Sequence, residues 1–194
     1  MHAAVRLENA DMSRYVRPSQ RCAASALALA LAMIALTVTS AVAQAQRPEL
    51  QGVYDLDAGA SDDVEAIVTR GTEQMNFAIR GLARRLIAKA NPRYEQIAIS
   101  QDGVTARVQL DARAPILAPL NGDSVRWVRE DGGTDTVACR WSYPSLELIF
   151  KADDGGRTHE YSLEPDGRTL KLYVELTSPR LPGPIDYTLV YRRR

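Results

Sequence analysis

Residues 157–177 read RTHEYSLEPDGRTLKLYVELT, and they carry the clearest local signal in the chain. Beyond the turn signal Pro165-Asp166-Gly167, Leu170, Leu172, Val174 and Leu176 fall on one side of an extended backbone. Lys171, Glu175 and Thr177 fall on the other. Side chains of a strand point alternately to its two faces, so this alternation marks a strand with one buried face. A second run, Arg157 to Leu163, precedes the turn, and the two together read as a hairpin.

The same period of two holds from Pro92 to the end of the chain. Ile97 and Ile99 alternate. Past the turn Gln101-Asp102-Gly103, Val104, Ala106, Val108 and Leu110 share one face, and Thr105, Arg107, Gln109 and Asp111 the other. Val125 to Val128, Asp135 to Ser142, Leu146 to Ala152, Arg168 to Thr177 and Ile185 to Arg192 read as further strands. Asn121-Gly122, Asp131-Gly132-Gly133, Tyr143-Pro144, Asp153-Asp154-Gly155-Gly156 and Pro182-Gly183-Pro184 supply turns. With a short first strand at Leu50 to Leu56, the count is about nine. An antiparallel meander of that length curls and closes, which removes its edges. The expected class is mainly β: an antiparallel up-and-down β-barrel of about 8–9 strands.

Between the first two strands the period changes. Val64, Ile67, Val68, Met75, Ile79, Leu82 and Leu86 recur at spacings of three, four and seven, which predicts a helix over about 61–91. Ser61 reads as its N-cap, with Asp62, Asp63 and Glu65 in a first turn that favours negative charge. Asn91-Pro92 stops it, and Gly71 and Gly81 offer points where it breaks in two. The apolar stripe is expected to rest on one open end of the barrel, against rim residues such as Trp127 or Trp141. Arg80, Arg84 and Arg85 read as the solvated side of the helix more readily than as a grip on an anion.

The first 45 of the 194 residues read as an export signal. Arg6, Arg14, Arg17 and Arg21 form a basic leader, Ala26 to Leu36 an uninterrupted apolar run, and Ala41-Val42-Ala43 or Ala43-Gln44-Ala45 a small-residue cleavage site. The apolar run is short for a membrane span, and Cys22 precedes it, which argues against a lipoprotein. The expected product is a single domain, 46–194, in the periplasm or secreted, with no integral membrane span after cleavage. The whole chain carries 24 basic and 24 acidic residues. Near-neutral charge argues against a general nucleic-acid binder, which needs a basic face.

The chemistry-bearing residues are few. Without the signal, one cysteine and one histidine remain. Cys139 alternates with Val137 and Trp141, which predicts a buried, inert thiol. His159 shares its strand face with Arg157 and Tyr161 and reads as a partly exposed strand histidine, a haem ligand being the sharper but weaker reading. No Gly-x-Ser-x-Gly elbow, phosphate-binding glycine loop or zinc-type cluster is present, and the Asp153-Asp154-Gly155 turn lacks the calcium-loop series. No catalytic residue, metal or cofactor is therefore assigned, and the chain does not read as an enzyme.

Gly52-Val53-Tyr54 near the start of the mature chain and Tyr187-Thr188-Leu189-Val190-Tyr191-Arg192 at its end resemble the lipocalin and calycin group. There, an aromatic of the first strand lies under a late arginine. The hairpin from Tyr161 to Leu170 and the long segment from Ser61 to Pro92 are similar to exported bacterial lipocalin-like proteins of unassigned function. The resemblance implies a barrel around a cavity, a clamp between Tyr54 and Arg192, and a small apolar ligand. The expected function is an exported, non-catalytic binding protein for a small hydrophobic or amphipathic ligand. The alternative is a protein-interaction module of the cell envelope, a protease inhibitor or assembly accessory, with a packed barrel. Trp127 and Trp141 read first as core. For a ligand inside the barrel they, with Ile79 and Leu82, are the candidate lining residues. No protein partner is named by the sequence.

Overall fold

The computed structural model describes residues 49–129 and 132–194, so the export-signal reading lies outside the described residues. Ten strands follow one another: β1 (Gly52–Leu56), β2 (Gln96–Gln101), β3 (Thr105–Leu110), β4 (Ile116–Pro119), β5 (Asn121–Val128), β6 (Thr134–Ser142), β7 (Ser145–Ala152), β8 (Gly155–Leu163), β9 (Thr169–Thr177) and β10 (Ile185–Arg193). All pair antiparallel in the order β4-β3-β2-β1-β10-β9-β8-β7-β6-β5. Neighbours in sequence are thus neighbours in the sheet, and β1 meets β10 through Tyr54↔Arg193, Asp55↔Arg192 and Leu56↔Tyr191. The sheet curls into a nearly closed barrel whose one unladdered seam lies between β4 and β5.

The predicted count of 8–9 strands falls one short, because β4 went unread. It follows Pro115 directly and ends at Pro119, and its four residues are too few to establish a period of two. On β3 and β9 the alternation is kept, whereas β5 has no buried residue and a bulge between Asn121 and Ser124. Leu170, Leu172, Val174 and Leu176 are buried on β9, and they face Tyr191, Leu189, Tyr187 and Ile185 of β10. Cys139 is buried in β6 beside Val137.

The helical segment is two helices, α1 (Val64–Gly71) and α2 (Phe77–Ala90). The break follows Gly71, where the Thr72 hydroxyl donates to the Val68 carbonyl (2.8 Å) and closes α1. Asn76 then caps α2 by accepting from the Ala78 amide (2.9 Å). The N-cap of α1 is Asp63, not Ser61: its carboxylate accepts from Ala66 N–H (3.0 Å). Ser61 has another task. Its hydroxyl accepts from Val190 N–H (2.9 Å), and Asp62 accepts from Thr188 N–H (2.7 Å). The chain leaving β1 is thereby stitched to β10 before the helix begins, where a ladder would otherwise leave donors unmet.

The stripe expectation is overturned. No residue of α2 is buried; Ile79, Leu82 and Leu86 are half exposed, and Phe77 is 85% exposed. The helix is mounted on its arginine side. Arg84 donates to the Thr72 hydroxyl (2.9 Å) and the Thr69 carbonyl (3.0 Å), and Arg80 to the carbonyls of Met75 (2.9 Å) and Glu73. Thr69 lies in the last turn of α1, where the helix dipole favours a cation, and Glu73 and Met75 lie in the turn between the helices, so the two guanidinium groups hold both. Two of the arginines read as solvated are therefore tethers. The apolar contacts to the core come from Val64, Ile67 and Val68 of α1 and from Ile87 of α2.

A candidate binding cavity at the helix end of the barrel

The interior faces of β7 and β8 bring a column of rings together. Phe150 lies 4.9 Å from His159, ring centre to ring centre; Tyr161 lies 6.1 Å from His159 on one side and Tyr94 6.5 Å on the other. His159 is 2% exposed, so the expectation of a partly exposed histidine is corrected: its alternating face is the interior one. Its Nδ1 pairs with the Tyr161 hydroxyl at 3.2 Å. Burial, reinforced by the positive charge of Arg157, holds His159 well below the usual imidazole value, and it is neutral at pH 7. Burial also raises the phenols of Tyr161 and Tyr191, and pushes Tyr187 up to about 12. This centre has no acid–base pair poised near neutrality.

Arg157 is the exception in this interior. It is 8% exposed, and its guanidinium lies 4.2 Å from the Phe150 ring centre and 5.9 Å from that of Trp127. Its Nη1 donates to the Ala90 carbonyl (2.7 Å) at the end of α2 and lies 3.4 Å from the Asn91 amide oxygen. Among the described residues no carboxylate pairs with it. Its Nε–H has no acceptor, and neither has the buried indole N–H of Trp127 beside it. Two unmet donors side by side are uncommon in a protein interior. Their shared need is for an acceptor-rich group.

A cavity of about 710 Å³ lies between the two helices and this end of the barrel. Its wall is mixed: Asp62, Asp63, Glu65, Arg84, Arg85 and Arg93 bring charge, and Val68, Ile87, Leu176 and Tyr187 bring apolar surface; Arg157 is not in the wall itself and meets it through Asn91. Asn91 is the residue that Arg157 reaches, and Leu176 is its register partner across β8 and β9. The helices sit where they do because Gly71 has no side chain. A Cβ there would lie 2.7 Å from Cγ1 of the buried Ile185, at the start of β10.

The four proposed lining residues are not brought together. Trp127 lies at this end, against Phe150 (5.8 Å between ring centres). Trp141 is six residues further along β6 than Asp135, the register partner of Trp127, about 20 Å away at strand spacing. Ile79 and Leu82 point to solvent. The clamp is also corrected. The arginine over the Tyr54 ring is Arg193, 5.3 Å from its centre, and it donates to the Tyr54 hydroxyl at 2.8 Å. Arg192 falls on the other face of β10 by alternation and bonds Asp57 (3.1 Å) and Thr169. Arg157 and the cavity were missed. The available signal was a cation at an inward position, sharing its strand face with His159 and Tyr161.

Among the described residues, no group of three or more His, Cys, Asp or Glu side chains could hold a metal ion. No family model matches the chain, and no curated protein sequence does. Among solved structures it is similar to a protein described as "REP1-NXSQ fatty acid transporter". That match has a TM-score of 0.50 and 13% identity, and covers 75% of this chain and 96% of the other. It is also similar to fatty-acid-binding protein 1 of Echinococcus granulosus, with TM-score 0.49, 13% identity, and coverage of 74% and 96%. A third is the human protein "cRBP IV", with TM-score 0.47, 21% identity, and coverage of 75% and 98%. At such identities the likeness is one of fold. The chain is a nearly closed antiparallel barrel of ten strands, with a helix pair between its first two strands.

Proposed function

We propose that this chain is an exported, non-catalytic binding protein for a small amphipathic ligand, its acceptor-bearing head at Arg157 and its apolar part in the cavity beneath the helices. The observation that carries the reading is a buried guanidinium with no carboxylate partner whose neighbour Asn91 lines a cavity of about 710 Å³. Burying a cation without a counterion is costly. The Ala90 carbonyl and the dipole of α2 offset part of that cost, and the ring faces of Phe150 and Trp127 offset more. A carboxylate or similar anion would complete the set, because guanidinium matches it in geometry as well as charge. The volume falls in the range of roughly 300–1,000 Å³ usual for small-molecule sites. The first of the similar structures is described as a fatty acid transporter, a ligand class in keeping with this chemistry.

Export rests on the residues of 1–45 alone, and places the product in the periplasm or outside the cell. The full chain produced in its own cell and recovered from the periplasm or medium provides the test. N-terminal sequencing should begin at Gln44 or Gln46, and native mass spectrometry should retain an adduct of lipid mass. In a binding assay with a fluorescent long-chain carboxylate, the parent carboxylate should compete and the alcohol of equal length should not. Arg157→Met should weaken binding at least tenfold, provided its unfolding transition is preserved. Equal competition by the alcohol would sink the head-group assignment. The packed column of Tyr94, Phe150, His159 and Tyr161 favours the second reading, an envelope protein-interaction module. A co-purifying protein with no small-molecule adduct would favour that one.

A further inference from the structure

The orientation of α2 is inverted relative to an ordinary surface helix. Arg80 and Arg84, the cations on its inner side, are spent on the Thr69 carbonyl of α1, the Thr72 hydroxyl and the carbonyls of Glu73 and Met75 in the turn between the helices. Outward point Ile79, Leu82 and Leu86, about half exposed, with Phe77 at 85% exposure at the helix start. Spacings of three and four put Ile79, Leu82 and Leu86 on one ridge. Arg85 and Lys89 are exposed beside that ridge, and residues 77–90 contain no acidic side chain. The nearest acids along the chain, Glu73 and Glu95, lie outside the helix. We propose that α2 docks this protein on an anionic lipid surface, lying in the plane of the interface with Ile79, Leu82 and Leu86 among the acyl chains and Arg85 and Lys89 at the headgroups.

An apolar ridge bordered by cations is the composition that interfacial helices use, and its attraction falls to anionic membranes. Charge decides between this occupant and a second copy of the chain. A twofold contact through the same ridge would bring Arg85 and Lys89 of one copy against the same cations of the other. An anionic surface matches them instead. No helix among the described residues is long and apolar enough to cross a membrane, so the contact is peripheral. The opposite side of α2 borders the cavity, yet the docking stands without any ligand.

An environment-sensitive fluorophore on Leu82→Cys in the full chain reads the helix itself, apart from the apolar run at 26–36. Cys22→Ser removes the competing thiol, and Cys139 is buried. With vesicles of equal parts phosphatidylglycerol and phosphatidylcholine, the emission should shift to the blue and be quenched by bilayer-embedded quenchers. A fluorophore on Lys171→Cys should stay in water. Pure phosphatidylcholine should bind at least tenfold more weakly, and Arg85→Gln with Lys89→Gln should lower partitioning roughly 25-fold, about fivefold for each charge near the surface. A water-like signal at Leu82→Cys while the protein sediments with vesicles would assign binding to another segment and overturn the proposal. A blue shift that grows with protein concentration in the absence of lipid would overturn it in favour of self-association.

Discussion

Two glycines of the helical segment allow one substitution to be tried in opposite environments. At Gly71, a Cβ would sit 2.7 Å from Cγ1 and 2.8 Å from Cδ1 of Ile185. Ile185 is 2% exposed and ladder-paired with Leu176, so it has little room to yield. Overpacking of this kind costs about 1–3 kcal/mol. Alanine gains at most about 1 kcal/mol of helix propensity over glycine, and less at a helix end. Gly71→Ala is therefore expected to destabilise by about 1–2 kcal/mol. At Gly81, inside α2, nothing lies within 4 Å of the added methyl. Gly81→Ala should stabilise by about 0.5–1 kcal/mol, since glycine loses more backbone freedom on folding. Urea titrations followed by tryptophan fluorescence give both values, and melting temperatures should separate in the same order, by about 2–4 °C per kcal/mol for a chain of this size. Ile185→Ala supplies the control. In that background the methyl of Gly71→Ala enters space already cleared, so its cost should vanish, a coupling of about 1–3 kcal/mol. Equal signs at the two glycines, or an undiminished cost in the Ile185→Ala background, would refute the contact as the reason for the glycine.

Other consequences concern the interior and the seam between the chain ends. His159 is held neutral in the folded state, so protons bind preferentially to the unfolded chain below its ordinary value of 6.5. Stability should fall as pH drops from about 6.5 toward 5, by up to about 1.4 kcal/mol per pH unit, and His159→Phe should flatten that slope in pH-resolved urea titrations. The Cys139 thiol is pushed up to about 12 by burial, so in a Cys22→Ser background maleimide should react at pH 8 only as fast as the protein opens. Rapid labelling of the native protein would contradict this. Tyr54→Phe removes the hydroxyl that bonds the Leu50 carbonyl and Arg193, and should cost about 1–2 kcal/mol in thermal unfolding. Arg192→Ala breaks half-exposed ion pairs and one hydrogen bond to the Thr169 hydroxyl, and should cost less, within about 1 kcal/mol. The reverse order would restore Arg192 as the clamp.

The barrel was legible because a sheet with one wet and one dry face writes its geometry into the sequence residue by residue. Leu170, Leu172, Val174 and Leu176 need no knowledge of their partners to declare an inward face, and Asp166-Gly167 needs none to declare a turn. The same local logic placed Cys139 in the core and offered Gly71 and Gly81 as break points, of which only Gly71 is one. β4 escaped because four residues that follow one proline and end in another establish no period. What local pattern could not supply was which of two amphipathic surfaces wins a contact. The apolar stripe of α2 looked like the buried side by composition. The acceptors at the end of α1 and in the turn after it, Thr69, Thr72, Glu73 and Met75, take the arginines, and the helix lies with its apolar stripe outward. The clamp moved from Arg192 to Arg193 for a related reason. The register of β1 against β10 fixes which arginine crosses Tyr54, and register is a property of two strands, not of one. Arg157 and its cavity exist only once β8, the end of α2 and the interior of the barrel are assembled, since the carbonyl of Ala90 that holds the guanidinium lies 67 residues away along the chain.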